Sequence, residues 1–258
     1  CAATRSAISS TAPISMAKRA SKFATGALER VIQHPITAAE IRIFQHFMDA
    51  PVAQPRRKRV ADLTGLKIWP CSHHVLAHLE ANLLPRLAAS SNSPLRILEL
   101  GAGTGALGIS LGVSPAPTRV VVTDPAIDVH FADSTSNTLD WLRANVEINP
   151  VGERVVARKL LWGDSADTEA VLNEQIWPDA DAGFDVVLGS DLLYNPDEYE
   201  GLVKTLVATV RGATLGVLGH THRHDGEKRF FRMLDEHFDI GTEAIDGGSH
   251  SPEALSTI

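Results

Sequence analysis

The sequence predicts an α/β fold, with a mostly parallel central sheet and helices on both faces. Three observations carry this. From Leu95 onward, short apolar runs alternate with amphipathic stretches, the pattern of βαβ units. One such run, Leu95–Leu100, leads straight into Gly101-Ala102-Gly103-Thr104-Gly105 and then the helix-like Ala106-Leu107-Gly108-Ile109. Without Cβ atoms in the way, such a loop lets backbone N–H groups and a helix N-terminus approach a ligand closely. A second run, Arg119–Thr123, ends on Asp124, 23 residues beyond Gly101, where an acid at a strand tip can accept hydrogen bonds from ribose hydroxyls.

Taken in order, residues 1–28 contain no acid and four basic residues, Arg5, Lys18, Arg19 and Lys22, among many Ala, Ser and Thr. This is the composition of an organelle transit peptide or of a disordered tail. Residues 29–64 read as an accessory segment and 65–258 as a single domain. Within the accessory segment, Ile41, Ile43, Phe44 and Phe47 recur at roughly helical spacing, and the following Pro51 is a stop. They predict a short helix over Thr37–Ala50. The basic run Arg56-Arg57-Lys58-Arg59 reads as a solvated loop, with a nuclear signal or a phosphate contact as the sharper alternative.

Five strands are expected at Leu95–Leu100, Arg119–Thr123, Arg154–Leu161, Phe184–Ser190 and Thr214–Gly219. Leu139, Leu142 and Val146 mark one crossover helix, which Pro150 ends. Leu202, Leu206 and Val210 mark another, with Asn195 as its cap, Pro196 in the first turn and Glu198 three residues after the cap. A last helix around Phe230, Phe231 and Leu234 leads to a strand near Ile240–Ile245, and there is no internal repeat.

Composition narrows the function. The 258 residues are 44% hydrophobic and 21% charged, close to globular averages. No run approaches the ~18 apolar residues of a membrane span. A net charge of −7 argues against a nucleic-acid surface, which needs clustered Lys and Arg, and suits a basic acceptor such as a lysine-bearing protein. Two cysteines, Cys1 and Cys71, make no disulfide framework and favour a reducing compartment. A cytoplasmic monomer is expected, with a nuclear or organellar site as the alternative that the basic N-terminal segment leaves open.

The glycine loop alone is ambiguous, because Gly101-Ala102-Gly103-Thr104-Gly105-Ala106 also matches the dinucleotide fingerprint. Other positions bear on the choice. Glu99, two residues before the first glycine, is typical of methyltransferases, where it organises the loop around a methionine moiety. The third strand ends in Leu160-Leu161-Trp162-Gly163-Asp164, which puts a flat aromatic ring where an adenine would lie.

With Gly189-Ser190-Asp191-Leu192-Leu193-Tyr194 after the fourth strand, the chain resembles the methyltransferase-like (family 16) group of seven-β-strand protein-lysine methyltransferases. The resemblance covers Gly65 to Glu243 and rests on Trp69-Pro70, E-x-G-x-G-x-G at Glu99–Gly105, Trp162-Gly163, and D-x-x-Y at Asp191–Tyr194. It implies a Rossmann-like class I methyltransferase fold, with the seventh strand antiparallel between the fifth and sixth. The cofactor implied is S-adenosyl-L-methionine, with S-adenosyl-L-homocysteine as product, and the partner is a protein carrying the target lysine. Trp69 would cover the cofactor, Glu99, Gly101, Ala102, Gly103 and Gly105 would form its loop, and Asp124 would hold the ribose. Trp162 would flank adenine and Ser190 line the pocket, while Asp191 and Tyr194 would face the transferred methyl as the catalytic pair. The chain stops at Leu255-Ser256-Thr257-Ile258, so a short or incomplete seventh strand is expected.

The chemistry this implies is mostly alignment. A lysine amine must be neutral to attack, and a nearby carboxylate raises its pKa while fixing its position, so Asp191 is an orienting acceptor rather than a strong base. Tyr194 offers a ring face to a cationic product. The residues after Asp191 are Leu192 and Leu193, not the paired prolines typical of enzymes that methylate amides or nucleobases. Protein histidine, arginine or a small molecule remain as other acceptors, and a non-catalytic or dinucleotide-binding module as another class. His220-Thr221-His222-Arg223-His224 has metal-like spacing, but without a matching Cys or carboxylate cluster it reads as cleft or surface histidines, so no metal is expected. His73, His74 and His78 read as helix-surface residues.

Overall fold

The computed structural model of the chain describes residues 27–46, 64–130, 135–174, 176–177, 183–223, 225–245 and 253–258. Most of the N-terminal tail, the basic run at 56–59, Phe47 and His224 lie outside the described residues.

The first described element corrects the sequence reading. Instead of a helix, β1 (Ala27–Gln33) and β2 (Glu40–His46) form an antiparallel hairpin. In β2, Ile41 and Ile43 are fully buried while Arg42 and Gln45 are partly exposed, so the period is two at the strand's start. The outer edge of β2 is closed by side chains. Asn149 Oδ1 accepts from Arg42 N (2.8 Å) and its Nδ2 donates to Arg42 O (2.7 Å), while Asn145 makes the same pair of bonds with Phe44 (2.7 and 3.0 Å). Four residues apart, at the end of one helix and at its C-cap, the two asparagines act as a surrogate strand.

Helix α1 (Pro70–His78) starts with Pro70 in its first turn and runs through a π turn, Leu79–Leu83, into α2 (Leu84–Ser90). Pro85 sits in the first turn of α2, where the missing N–H breaks the helical ladder behind it. Then follow β3 (Leu95–Leu100), α3 (Ala106–Leu111), β4 (Thr118–Asp124), the small hairpin β5 (Asp128–His130) and β6 (Thr135–Asn137), and α4 (Thr138–Ile148), which bears Asn145 and ends on Asn149 as its C-cap. Next come β7 (Val155–Lys159), α5 (Ser165–Asn173), β8 (Val186–Ser190) and α6 (Tyr199–Thr209). The chain ends with β9 (Leu215–Thr221), α7 (Glu227–Asp235), β10 (Gly241–Ile245) and β11 (Glu253–Thr257). Asn195 does cap, but it caps a 3-10 turn, Pro196–Glu198, that leads into α6. Strand β7 stops two residues before Leu161, whose N–H is taken by Asp167 at 3.0 Å.

The seven-stranded sheet has the order β10-β11-β9-β8-β3-β4-β7, parallel from β9 to β7. β11 is antiparallel to both neighbours and paired with each along its five residues, so the short last strand is fully integrated. This is the Rossmann-like α/β architecture that the sequence predicted. Its central strands are mostly apolar because both faces are covered. Ile97, Val120, Val122, Val186 and Leu188 face the layer containing α1, α3 and α4, where the hairpin's Ile41 and Ile43 also pack. Leu98, Leu100, Val121 and Val187 face the layer of α5, α6 and α7, around Tyr199 and Phe230. The carboxyl ends of β3, β4 and β8 meet beneath a cleft at the point where the strand order reverses.

Candidate active site

β3 delivers Glu99 to the base of the glycine loop. The carboxyl is buried, and its Oε2 accepts from Gly108 N at 2.9 Å, bracing the loop against the first turn of α3. Burial, with the Asp124 charge adding to it against the Gly108 bond, pushes the Glu99 pKa up to about 8. Gly101 and Gly103 both have left-handed backbone, at φ 59° and 55°. A Cβ at Gly101 would lie 2.7 Å from the Trp162 ring, and one at Gly103 would lie 2.9 Å from the Gly65 carbonyl. Both glycines are therefore needed for the turn and for close approach.

Asp124, at the tip of β4, accepts from Gly103 N at 2.9 Å, while Ala102 N donates to Thr123 O at 2.8 Å. Two consecutive residues at the tip of β4 thus hold two consecutive N–H groups of the loop. Trp69 caps α1 from the opposite wall, its Nε1 donating to Thr64 O at 3.0 Å. Trp162 closes the far side.

These groups line a cleft of about 1030 Å³, its open mouth included, together with Ser190, Asp191 and Tyr194. Of the cofactor and catalytic positions expected from the sequence, all but Gly105 line this cleft, Ala102 included. Gly105 begins α3, where its missing side chain leaves room for Leu142. The cleft fits an adenosyl ligand on two counts. Trp162 Nε1 and Ser190 Oγ are buried polar atoms with no hydrogen-bond partner among the described residues, as expected of groups that meet a polar ligand. The loop can pass this close to Trp162 and Gly65 along the cleft wall only because Gly101 and Gly103 lack side chains.

On the outer side, Leu192 and Leu193 turn back into the core, which leaves Tyr194 facing the cleft and partly exposed. Asp191 is buried and has left-handed backbone, φ 62°, rare for a residue with a side chain; its N–H is held by Gly219 O at 2.8 Å. Its carboxylate does not stand alone. Arg223 Nη1 donates to Oδ1 and Nη2 to Oδ2, the second at 2.6 Å, in a bidentate pair. The guanidinium also lies 5.7 Å from the centroid of the Trp69 ring. Behind it, Glu227 accepts from Arg223 N at 2.8 Å and bonds His222 Nδ1 at 2.7 Å.

Arg223 and Lys67 are the site residues that sequence reasoning missed. Lys67 lines the cleft with its Nζ 4.8 Å above Trp69. The signal for Arg223 was its place in a run read only for its histidines. Those histidines have other surroundings: His220 is buried against Phe231, with centroids 5.0 Å apart, and His222 is tied to Glu227. Among the described residues no three His, Cys, Asp or Glu side chains are grouped to hold a metal ion, and no helix is long and apolar enough to cross a membrane. His73 is exposed, and His78 pairs with Glu243 at 3.1 Å.

Comparison with known proteins places this site in context. The lysine methyltransferase family model matches residues 57–237. Protein N-lysine methyltransferase METTL21A of Danio rerio is 30% identical over 148 residues, 56% of this chain and 58% of that protein. Protein-lysine N-methyltransferase EFM6 of Saccharomyces cerevisiae is 26% identical over 187 residues, 68% of this chain and 71% of that protein. The match to METTL21A thus spans less than two thirds of that relative's length. Among solved structures, a SAM-dependent methyltransferase from Agrobacterium tumefaciens aligns with a TM-score of 0.52 at 11% identity, covering 90% of this chain and 70% of that one. The METTL16 methyltransferase domain aligns at 0.51 and 11%, covering 74% and 69%. The structural likenesses speak to the fold.

Proposed function

Because this chain belongs to the lysine methyltransferase family, we propose that it is an S-adenosylmethionine-dependent protein-lysine N-methyltransferase. The observation that carries this reading is one cleft lined together by the glycine loop, Asp124, Trp162, Asp191 and Tyr194.

When bound, S-adenosylmethionine supplies a methyl group on a sulfonium, whose loss leaves a neutral thioether. The chain's own residues bind, orient and exclude water. Asp124 would accept from the ribose hydroxyls, and Trp162 would flank the adenine. Glu99 braces the loop, Trp69 would cover the methionine end, and Ser190 Oγ would bond the ligand. At the outer end Asp191 accepts a hydrogen bond from the incoming amine, since a carboxylate has about four lone-pair sites and Arg223 occupies two. The amine is thereby held in line with the methyl. Tyr194 turns its ring toward the product ammonium, and the amine's proton leaves through water.

The acceptor is read as a protein, in keeping with the chain's charge of −7. Residues 65–258 form the methyltransferase domain and 29–64 an accessory segment, working as a monomer in a reducing compartment such as the cytoplasm. The test is to incubate the chain with tritiated S-adenosylmethionine and cell extract, then hydrolyse the labelled band. Label in methyl-lysine is expected. Label in methyl-histidine or methyl-arginine, or none at all, overturns the assignment.

A further inference from the structure

The carboxylate that would receive the substrate amine is already paired with a guanidinium. Asp191 is buried and Arg223 grips both of its oxygens. Arg223 is itself fixed from three sides: by the carboxylate, by the Trp69 ring and, through its backbone N–H, by Glu227. Such a pair is costly to bury and to hold in place, and nothing in the alignment role of Asp191 requires it. An arginine at this position does solve one problem of lysine methylation. A bare buried carboxylate beside an amine stabilises the ammonium, the form that cannot attack. A carboxylate already neutralised by a guanidinium keeps its hydrogen-bonding oxygens but loses most of that preference.

We infer that Arg223 is a positioning residue that cancels the charge of Asp191, so that the acceptor slot takes the target amine in its neutral form. This rests on the methyltransferase reading above. Among the described residues, the other charged or titratable groups around the pair are the following. Cys71 on α1 and Lys67 above Trp69 face it from one wall, and His220 and His222 lie at the end of β9. Glu227 stands on α7, with Tyr194 and Glu198 at the mouth of the cleft. Glu227 is also a carboxylate, so removing Arg223 leaves two buried acids near the slot with Lys67 as the nearby cation.

The test is the pH dependence of single-turnover methyl transfer to the acceptor band labelled in cell extract, followed from about pH 6 to about pH 10. S-adenosylhomocysteine binding is measured on the same proteins by calorimetry. Arg223→Gln is expected to bind S-adenosylhomocysteine within a few-fold of wild type. Its rate profile should shift to higher pH by about one unit, so transfer near neutrality falls about tenfold and recovers in alkali. Asp191→Asn, which leaves the guanidinium uncompensated, should be slower overall and shift its midpoint the other way. That variant decides the matter by sign should Arg223→Gln not fold. A purely structural role for Arg223 predicts a lower melting temperature and a loss that is uniform with pH. Unmoved midpoints in a folded variant overturn the inference. A wild-type chain that neither binds S-adenosylhomocysteine nor transfers a methyl overturns the functional reading instead.

Discussion

The Asp124 carboxylate accepts a hydrogen bond from the Gly103 N–H at 2.9 Å, tying the tip of β4 to the loop that leaves β3. On the proposed reading, the acid that would meet ribose hydroxyls also fixes the loop that would meet the rest of the ligand. Asp124→Ala should weaken S-adenosylhomocysteine binding by about 1–3 kcal/mol, through the lost acceptor and the looser loop. Calorimetry beside a melting curve checks this. An unchanged dissociation constant in a folded variant removes Asp124 from the site.

Glu99 gives a pH dependence whose sign can be worked out. Its folded pKa is raised to about 8 from 4.5, so the folded state holds the proton more tightly. The stability this contributes is fully present below about pH 4.5 and is lost as pH rises through about 8. Glu99→Gln keeps a carbonyl oxygen for Gly108 N–H and does not titrate. Its melting temperature relative to wild type should therefore rise between about pH 5 and about pH 8.5, measured without ligand. A constant difference contradicts the burial argument.

Asn145 holds three elements together. It makes two bonds to Phe44 of β2 and donates to Thr104 O in the glycine loop at 2.9 Å. Asn145→Ala removes all three from a buried site and should cost about 2–4 kcal/mol in urea unfolding. A loss below about 1 kcal/mol would show that the hairpin edge finds other partners.

Asp191→Ala should leave S-adenosylhomocysteine affinity within a few-fold of wild type and cut methyl transfer about a hundredfold, since a misaligned amine forfeits the gain from orientation. Tyr194→Phe should cost less than Tyr194→Ala, because the ring face survives. Single-turnover rates on folded protein decide both. Wild-type turnover in Asp191→Ala sinks its role at the methyl.

The sheet was legible because its signals are local. Each apolar run between Leu95 and Gly219 lies next to its own turn and helix, and the glycine loop announces the strand before it. The hairpin was not, because Ile41, Ile43, Phe44 and Phe47 fit a helical spacing as well as the start of an alternating one. What settles β2 is distant: the partner strand β1 and the edge-capping Asn145, 101 residues from Phe44. The cofactor end of the cleft could be read from E-x-G-x-G-x-G and Asp124. Arg223 could not, since its meaning lies in Asp191, 32 residues away on another strand end.

The central claim is that the cleft over Gly101 and Gly103 is an S-adenosyl site and not a dinucleotide site. Calorimetric titration of the purified chain with S-adenosylhomocysteine and, separately, with NAD tests it most directly. We expect saturable one-to-one binding of S-adenosylhomocysteine and no heat of binding with NAD. The reverse preference would contradict the account.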